Sequence, residues 1–262
     1  MKPKLAMCNI FCDLKALRDF ARQHGFAGID WSFEAESLPD TPVEESRWVQ
    51  SMSALAPLEV RYHCPFYQLD LGQNDPSEAR AAEVIYRRII RLVSKVGGRF
   101  LTIHIGLGHD STEPLSWNAT INNMANLVRY AATRGIKVCL ENLAWGWTSR
   151  PNLFEKIIRR SGAHVTLDLG HAEVCESVRT QQYAIEDFVT PHPERVLNAH
   201  IYHAEIPGLG HAPPRTQEEI EQRLDLLTAI GCEWWVIEIK EVEPLLLTKG
   251  ILEAYLDGRG GV

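Results

Sequence analysis

Val165-Thr166-Leu167-Asp168-Leu169-Gly170-His171 is the stretch whose reading decides the fold of this chain. A β-branched, apolar run ends on a carboxylate, and an imidazole follows three residues later. Strand side chains alternate between faces, so Asp168 and His171 cannot share one side of a continuing strand. Asp168 is therefore expected to close the strand, with His171 in the loop beyond Gly170. The same device recurs along the chain. Six residues separate a glycine from a polar, metal-capable side chain in Gly98 to His104, Gly135 to Glu141 and Gly162 to Asp168, and seven in Gly231 to Glu238. Between those ends lie Phe100-Leu101-Thr102-Ile103, Lys137-Val138-Cys139-Leu140, Val165-Thr166-Leu167 and Trp234-Trp235-Val236-Ile237. Four coincidences in register point to one architecture and one site.

Working outward, Lys4–Ile10 reads as a first strand, Gly28–Phe33 as a second ending near Glu34, and Val60-Arg61-Tyr62-His63 as a third stopped by Pro65. Val196–Ile201 supplies a further strand through His200. Helical periodicity fills the intervals. Asp13 caps a first helix, another spans roughly Val43–Leu55, and Asp75-Pro76 starts the longest, with Ala82, Ile85, Ile89, Leu92 and Val96 on one face. Ser116 caps a helix ending at Gly135, and another runs from about Asn152 to Arg160. Further helices are expected around Gln181–Val189, after the capping-box pattern Thr216-Gln217-Glu218-Glu219, and from about Pro244. Alternating strands and helices with no linker between them imply a parallel sheet covered on its outer face. Eight such repeats imply an α/β chain closed into one (β/α)8 TIM barrel over residues 1–262. No Gly-x-Gly-x-x-Gly follows the first strand, which argues against a dinucleotide-binding sheet.

Composition narrows the partners. With 45% hydrophobic residues in a chain of 262, a full core can be buried. Asp and Glu outnumber Lys and Arg by 34 to 27, and no basic run has the density of a nucleic-acid face. A net charge of −7 opposes binding to DNA. The six cysteines lack CxxC spacing and several lie inside apolar strand patterns, so buried, reduced thiols are expected rather than disulfides or a zinc knuckle. The N-terminus carries no long apolar run, and no stretch reaches membrane-spanning length. The expectation is a soluble cytoplasmic protein with a small-molecule ligand, no nucleic-acid or membrane partner, and room for a homo-oligomer.

In a (β/α)8 barrel the C-terminal strand ends meet at the active-site mouth. This chain delivers there Glu34, His63, His104, Glu141, Asp168, His200 and Glu238, with His171, His203 and His211 in adjoining loops. A strand-terminal Glu34 reads best as a rim residue, and His24, His109, His164 and His192 as surface. Glu141, Asp168, His200 and Glu238 are different. Three carboxylates converging with one imidazole would repel one another without a cation. That donor set suits Mn²⁺, Mg²⁺ or Co²⁺, and also accommodates Zn²⁺.

The ordered set Tyr62-His63-Cys64-Pro65, Ile103-His104-Ile105-Gly106, Leu140-Glu141-Asn142, Leu167-Asp168-Leu169-Gly170-His171, Ala199-His200-Ile201 and Ile237-Glu238 resembles the xylose isomerase-like barrel superfamily nearly end to end. That superfamily covers sugar isomerases and epimerases and the endonuclease IV type of apurinic-site nuclease. The resemblance implies one metal ion held by Glu141, Asp168, His200 and Glu238 in the isomerase and epimerase branch. It implies proton exchange by Glu141 and Glu238, and substrate contacts by His63, His104, His171 and His211. In the nuclease branch the same positions, plus an Asp-x-His pair in the seventh loop, hold three zinc ions. Here that pair reads Leu209-Gly210-His211, so one expected ligand is missing.

The residues suit one chemistry. A divalent ion chelated by neighbouring sugar oxygens stabilises a cis-enediolate, and a carboxylate on each face of the reacting carbon removes and returns a proton. The expected function is thus a metal-dependent isomerase or epimerase of a sugar or sugar phosphate. A lyase dehydrating a keto-polyol shares the metal and the enediolate. The apurinic-site endonuclease is the alternative of a different class. Trp145 and Trp147 after Glu141 either stack on sugar faces or pack their loop.

Overall fold

The strand-and-helix repeat closes on itself. The computed structural model describes residues 2–259. The strands β1 (Lys4–Cys8), β2 (Gly28–Ser32), β3 (Glu59–Cys64), β4 (Phe100–Ile103), β5 (Lys137–Glu141), β6 (His164–Asp168), β7 (Val196–Ile201) and β10 (Trp234–Ile237) form one closed barrel. Its order is β1-β10-β7-β6-β5-β4-β3-β2, with every neighbouring pair parallel. The two strands outside the barrel, β8 (Ala204–Ile206) and β9 (Gly210–Ala212), make an antiparallel hairpin above the end of β7.

The helices pack around this ring as α1 (Leu14–Gln23), α2 (Pro42–Met52), α3 (Pro76–Lys95), α4 (Trp117–Ala132), α5 (Pro151–Ser161), α6 (Leu169–Val174), α7 (Glu176–Arg179), α8 (Glu221–Ala229) and α9 (Val242–Gly258). Their starts follow local chemistry. Asp13 and Ser116 accept hydrogen bonds from Ala16 N and Ala119 N, and Asp75 from Ser77 N, each satisfying an amide that the helix leaves free. The apolar stripe of α3 buries Ala82, Ile89 and Val93 completely against the sheet. No helix among the described residues is long and apolar enough to cross a membrane.

Four local expectations change. His171 lies in α6 rather than in a loop, because Asp168 Oδ1 accepts from His171 N at 2.6 Å and starts the helix at the strand end itself. The helix expected around Gln181–Val189 shrinks to a 3-10 turn at Ile185–Phe188, preceded by Gln181 at φ 57 and followed by Pro191 and Pro193. The Glu219 carboxylate accepts from Arg215 N instead of closing a box on Thr216, so α8 begins only at Glu221. The Gly- and Pro-rich segment His203–Arg215 contains the β8–β9 hairpin.

Register brings the site to one level. A bulge at Leu197 on β7, opposite the Val165–Thr166 step of β6, shifts the pairing so that Thr166 faces Asn198 and Asp168 faces His200. The carbonyl of the skipped Leu197 is taken by Arg61 Nη1 at 2.9 Å. Gly170 is required where α6 crosses the next strand end, because a Cβ there would sit 2.0 Å from the buried Tyr202 ring.

Candidate metal centre

Glu141 is the last residue of β5, Asp168 the last of β6, His200 lies near the end of β7, and Glu238 directly follows β10. All four reach the barrel axis, with one donor atom from each within 4.8 Å of the others. His200 Nδ1 sits between the two glutamates, 3.2 Å from Glu141 Oε2 and 3.1 Å from Glu238 Oε2, and 3.9 Å from Asp168 Oδ2. Asn142 braces the strand ends. Its Oδ1 accepts from Asp168 N and its Nδ2 donates to Asp168 O, which extends the β5–β6 ladder by one side chain.

Asp168 divides its two oxygens between structure and site. Oδ1 caps α6, while Oδ2 faces the centre without a hydrogen bond. Glu141 Oε2 and both nitrogens of His200 are likewise buried and unpartnered. Buried polar atoms are ordinarily bonded, so several orphans at one point mark a place for a ligand. Three carboxylates and an imidazole with free, converging atoms fit a divalent cation.

The charges respond to this crowding. Burial alone would lower the His200 imidazole, but Glu141 and Glu238 beside it hold it well above its ordinary value. Burial pushes Glu141 up to about 7, against the pull of His200 and with the repulsion of Glu238 and Asp168. Glu238 goes the other way: burial would raise it, yet His200 above all, with His211, draws it well below the usual carboxylate range. The two glutamates differ because one holds the larger share of the cationic neighbours.

The four histidines expected around the substrate also converge. His63 Nε2 and His104 Nε2 approach to 2.7 Å, at 3.5 and 3.7 Å from Glu141 Oε2. Burial drives His63 down to about 3 and His104 well below its usual range, so both rings are neutral and can ligate or accept. His171 Nδ1 lies 3.0 Å from the Asn142 carbonyl and its Nε2 3.3 Å from Glu205. His211 stacks on Tyr202 at 3.9 Å, with Nδ1 on the Glu238 carbonyl at 2.8 Å.

One addition and two corrections concern this region. Leu209, where a ligand was expected to be missing, is an exposed hairpin tip, but Glu205 on β8 supplies a carboxylate to His171 and His211. His109 is not a free surface group, because it pairs with the buried Asp70 at 2.9 Å and ties the loop after β3 to the loop after β4. His164 is half-buried at the opposite end of β6. Glu34 is exposed, as a rim residue should be, and β2 ends before it. The carboxylate that β2 sends inward is Asp30, fully buried, which a reading of strand ends passed over. Two-residue alternation through Gly28, Asp30 and Ser32 was the available signal. Trp147 packs edge-on against Trp117 at 5.1 Å, supporting the loop-packing role for that ring.

A family model described as the xylose isomerase-like TIM barrel matches residues 16–246. The uncharacterized protein MJ0008 of Methanocaldococcus jannaschii is 28% identical over 198 residues, covering 76% of this chain and 80% of that one. Among solved structures, a D-tagatose 3-epimerase-like protein superposes with a TM-score of 0.75 at 18% identity, covering 98% of each chain. An L-ribulose 3-epimerase gives 0.74 at 17% identity, covering 98% of this chain and 95% of that one. A D-allulose 3-epimerase from Methylomonas sp., in complex with D-allulose, gives 0.70 at 14% identity, with coverages of 99% and 96%. At these identities the likeness is one of fold.

Proposed function

The chain belongs to the xylose isomerase-like TIM barrel family, and from that premise we propose that it is a divalent-metal-dependent epimerase or isomerase of a sugar or sugar phosphate. The observation that carries this reading is the placement of Glu141 and Glu238 on either side of His200 Nδ1, at 3.2 and 3.1 Å. In the barrel order β5 and β10 are separated by β6 and β7, so the two carboxylates approach the axis from different sides. A divalent cation held by Glu141, Asp168, His200 and Glu238 would act as a Lewis acid toward adjacent hydroxyl and carbonyl oxygens of the sugar.

The chain's own groups handle the proton. One glutamate takes it from the carbon beside the carbonyl, leaving an enediolate on the substrate, and the other returns a proton to the opposite face. Return to the same carbon inverts it; return to the neighbouring carbon interchanges aldose and ketose. His63, His104, His171 and His211, which lie beside these carboxylates, would contact the oxygens of the substrate. The named activities of the epimerases of similar fold support this substrate class.

Turnover of a panel of ketohexoses in D₂O is the test. Deuterium is expected at the reacting carbon, and Glu141→Gln or Glu238→Gln should each reduce the rate by at least the ~10²-fold typical of losing a general base. Product without label, or undiminished turnover by Glu141→Gln, rejects the two-carboxylate scheme.

A second reading is favoured by one specific observation. His171, Glu205 and His211 form a third donor set beside His63, His104 and Glu141, as a three-metal apurinic-site nuclease requires. Elemental analysis separates the two: about one divalent ion per chain for the sugar enzyme, near three zinc ions for the nuclease. The net charge of −7 weighs toward the first.

A further inference from the structure

Asp30 lies within β2, is fully buried, and neither of its carboxylate oxygens has a hydrogen-bond partner. Its Oδ2 stands 3.7 Å from His200 Nε2 and 3.6 Å from His63 Nδ1. Each of those rings turns its other nitrogen toward the mouth. His200 presents Nδ1 to Glu141 and Glu238, and His63 presents Nε2 to His104 and Glu141. One carboxylate therefore backs two imidazoles from below.

A neutral imidazole carries its proton on one nitrogen and a lone pair on the other. A nitrogen that ligates a metal must offer the lone pair, so the proton has to reside on the far nitrogen. A carboxylate facing that far nitrogen selects the tautomer, orients the ring and raises its basicity. We infer that Asp30 is the positioning residue of the metal centre, holding the proton of His200 on Nε2 so that Nδ1 stays free for the ion. The inference rests on the reading that Glu141, Asp168, His200 and Glu238 hold a divalent cation.

Packing alone gives no reason for a carboxylate here. An apolar side chain would fill the same space without the cost of burying an unbonded acid. The backing acts more strongly on His200 than on His63. His63 Nδ1 has Ser32 Oγ at 3.4 Å and Glu238 Oε1 at 3.7 Å as competing neighbours, whereas Asp30 is the carboxylate paired with His200 Nε2. Asp30 acts through the imidazoles and has no part in proton transfer to substrate.

Cobalt is the probe. The Co²⁺ affinity of the protein and of its Asp30→Asn variant is measured by titration, with circular dichroism confirming that the variant is folded. The variant should bind ~10–100-fold more weakly, as expected when the partner of a ligating histidine is lost. In the Co²⁺-loaded wild type, the His200 Nε2 proton should give a hyperfine-shifted ¹H resonance that exchanges slowly with water. In Asp30→Asn that resonance should shift and exchange faster. Unchanged affinity and an unchanged resonance in the variant overturn the role of Asp30 and leave the metal reading intact. Fast exchange in the wild type overturns it without need of the variant. A wild type that binds no Co²⁺, or binds it with no shifted histidine proton, overturns the metal reading and this inference with it.

Discussion

Two levels of the barrel interior bury polar groups equally deeply and treat them in opposite ways. Toward the N-terminal strand ends, Arg61 Nη1 donates to Leu197 O and to Asn198 Oδ1, and its Nε donates to Glu59. Its guanidinium lies 3.9 Å over Phe100 and 4.4 Å over Trp234. Asn198 donates to both Thr102 and Thr166, whose hydroxyls meet at 2.8 Å. At the C-terminal ends Glu141, Asp168 and His200, with Asp30 beneath them inside β2, keep buried atoms unpartnered. The lower layer spends its polar groups on one another, and its work is structural. The upper layer holds free valences in place, which is unfavourable for the protein alone and useful only with a ligand.

The sharpest break of this contrast is at Asp168. Asp168→Asn can keep the cap on α6 but loses the charge facing the centre, so affinity for Mn²⁺ or Co²⁺ should fall on the order of 10³-fold, beyond the ~10–100-fold for a supporting partner. Asp168→Ala should lose the ion equally and also about 1 kcal/mol of stability for the missing cap, read by urea unfolding of the chelator-treated proteins. Equal metal affinity in wild type and Asp168→Asn would place the ion elsewhere.

The lower layer should respond in the other currency. Arg61→Met leaves the Leu197 carbonyl and Asn198 without their donor and should cost about 3 kcal/mol of unfolding free energy, with metal stoichiometry unchanged. A loss of metal without a loss of stability would erase the distinction between the two levels.

Removing an upper-layer charge should do the reverse. Burial and neighbouring carboxylates raise Glu141 to about 7 in the fold, above its ordinary value of 4.5. The native state then binds more protons than the unfolded chain between those values, and stability falls as pH rises through that window. Glu141→Gln should therefore stabilise the metal-free protein at pH 8 by roughly 1 kcal/mol, while weakening the metal-loaded form. Destabilisation of the metal-free protein would make Glu141 a structural residue.

The smallest effect is expected at His164, outside the mouth. Burial, with Lys137 and Arg195 nearby, lowers it to about 4 from 6.5. Here the unfolded chain binds the extra proton, so its contribution is present above pH 6.5 and lost as pH falls through 4. His164→Gln should flatten the acid side of the stability profile by less than one proton without changing metal binding. A profile identical to the wild type would show that His164 titrates alike in both states.

The family matched over residues 16–246 was legible in the order of short motifs, because each strand carries its chemistry at its own end. Glu141, Asp168 and Glu238 could be read as strand-terminal by counting from a glycine, and the ring topology then required them to converge. Asp30 was hidden within a strand, where a carboxylate has no terminal position to advertise it. Glu205 was hidden by a hairpin whose pairing depends on Gly208 and Gly210 adopting positive φ, at 77° and 82°. His171 was displaced from loop to helix by the one hydrogen bond that its backbone N–H donates to Asp168.

By itself the sequence determined the alternation of strands and helices, the closed barrel and the strand-end positions of Glu141, Asp168, His200 and Glu238, since hydrophobic period and strand-end position are local properties of the chain. Only the tertiary structure decided which carboxylate oxygens are left free, which imidazole nitrogen faces the centre, and that Asp30 backs two of the rings. Those facts depend on the β6–β7 bulge and on contacts between strands distant in sequence, which no spacing along a single chain records.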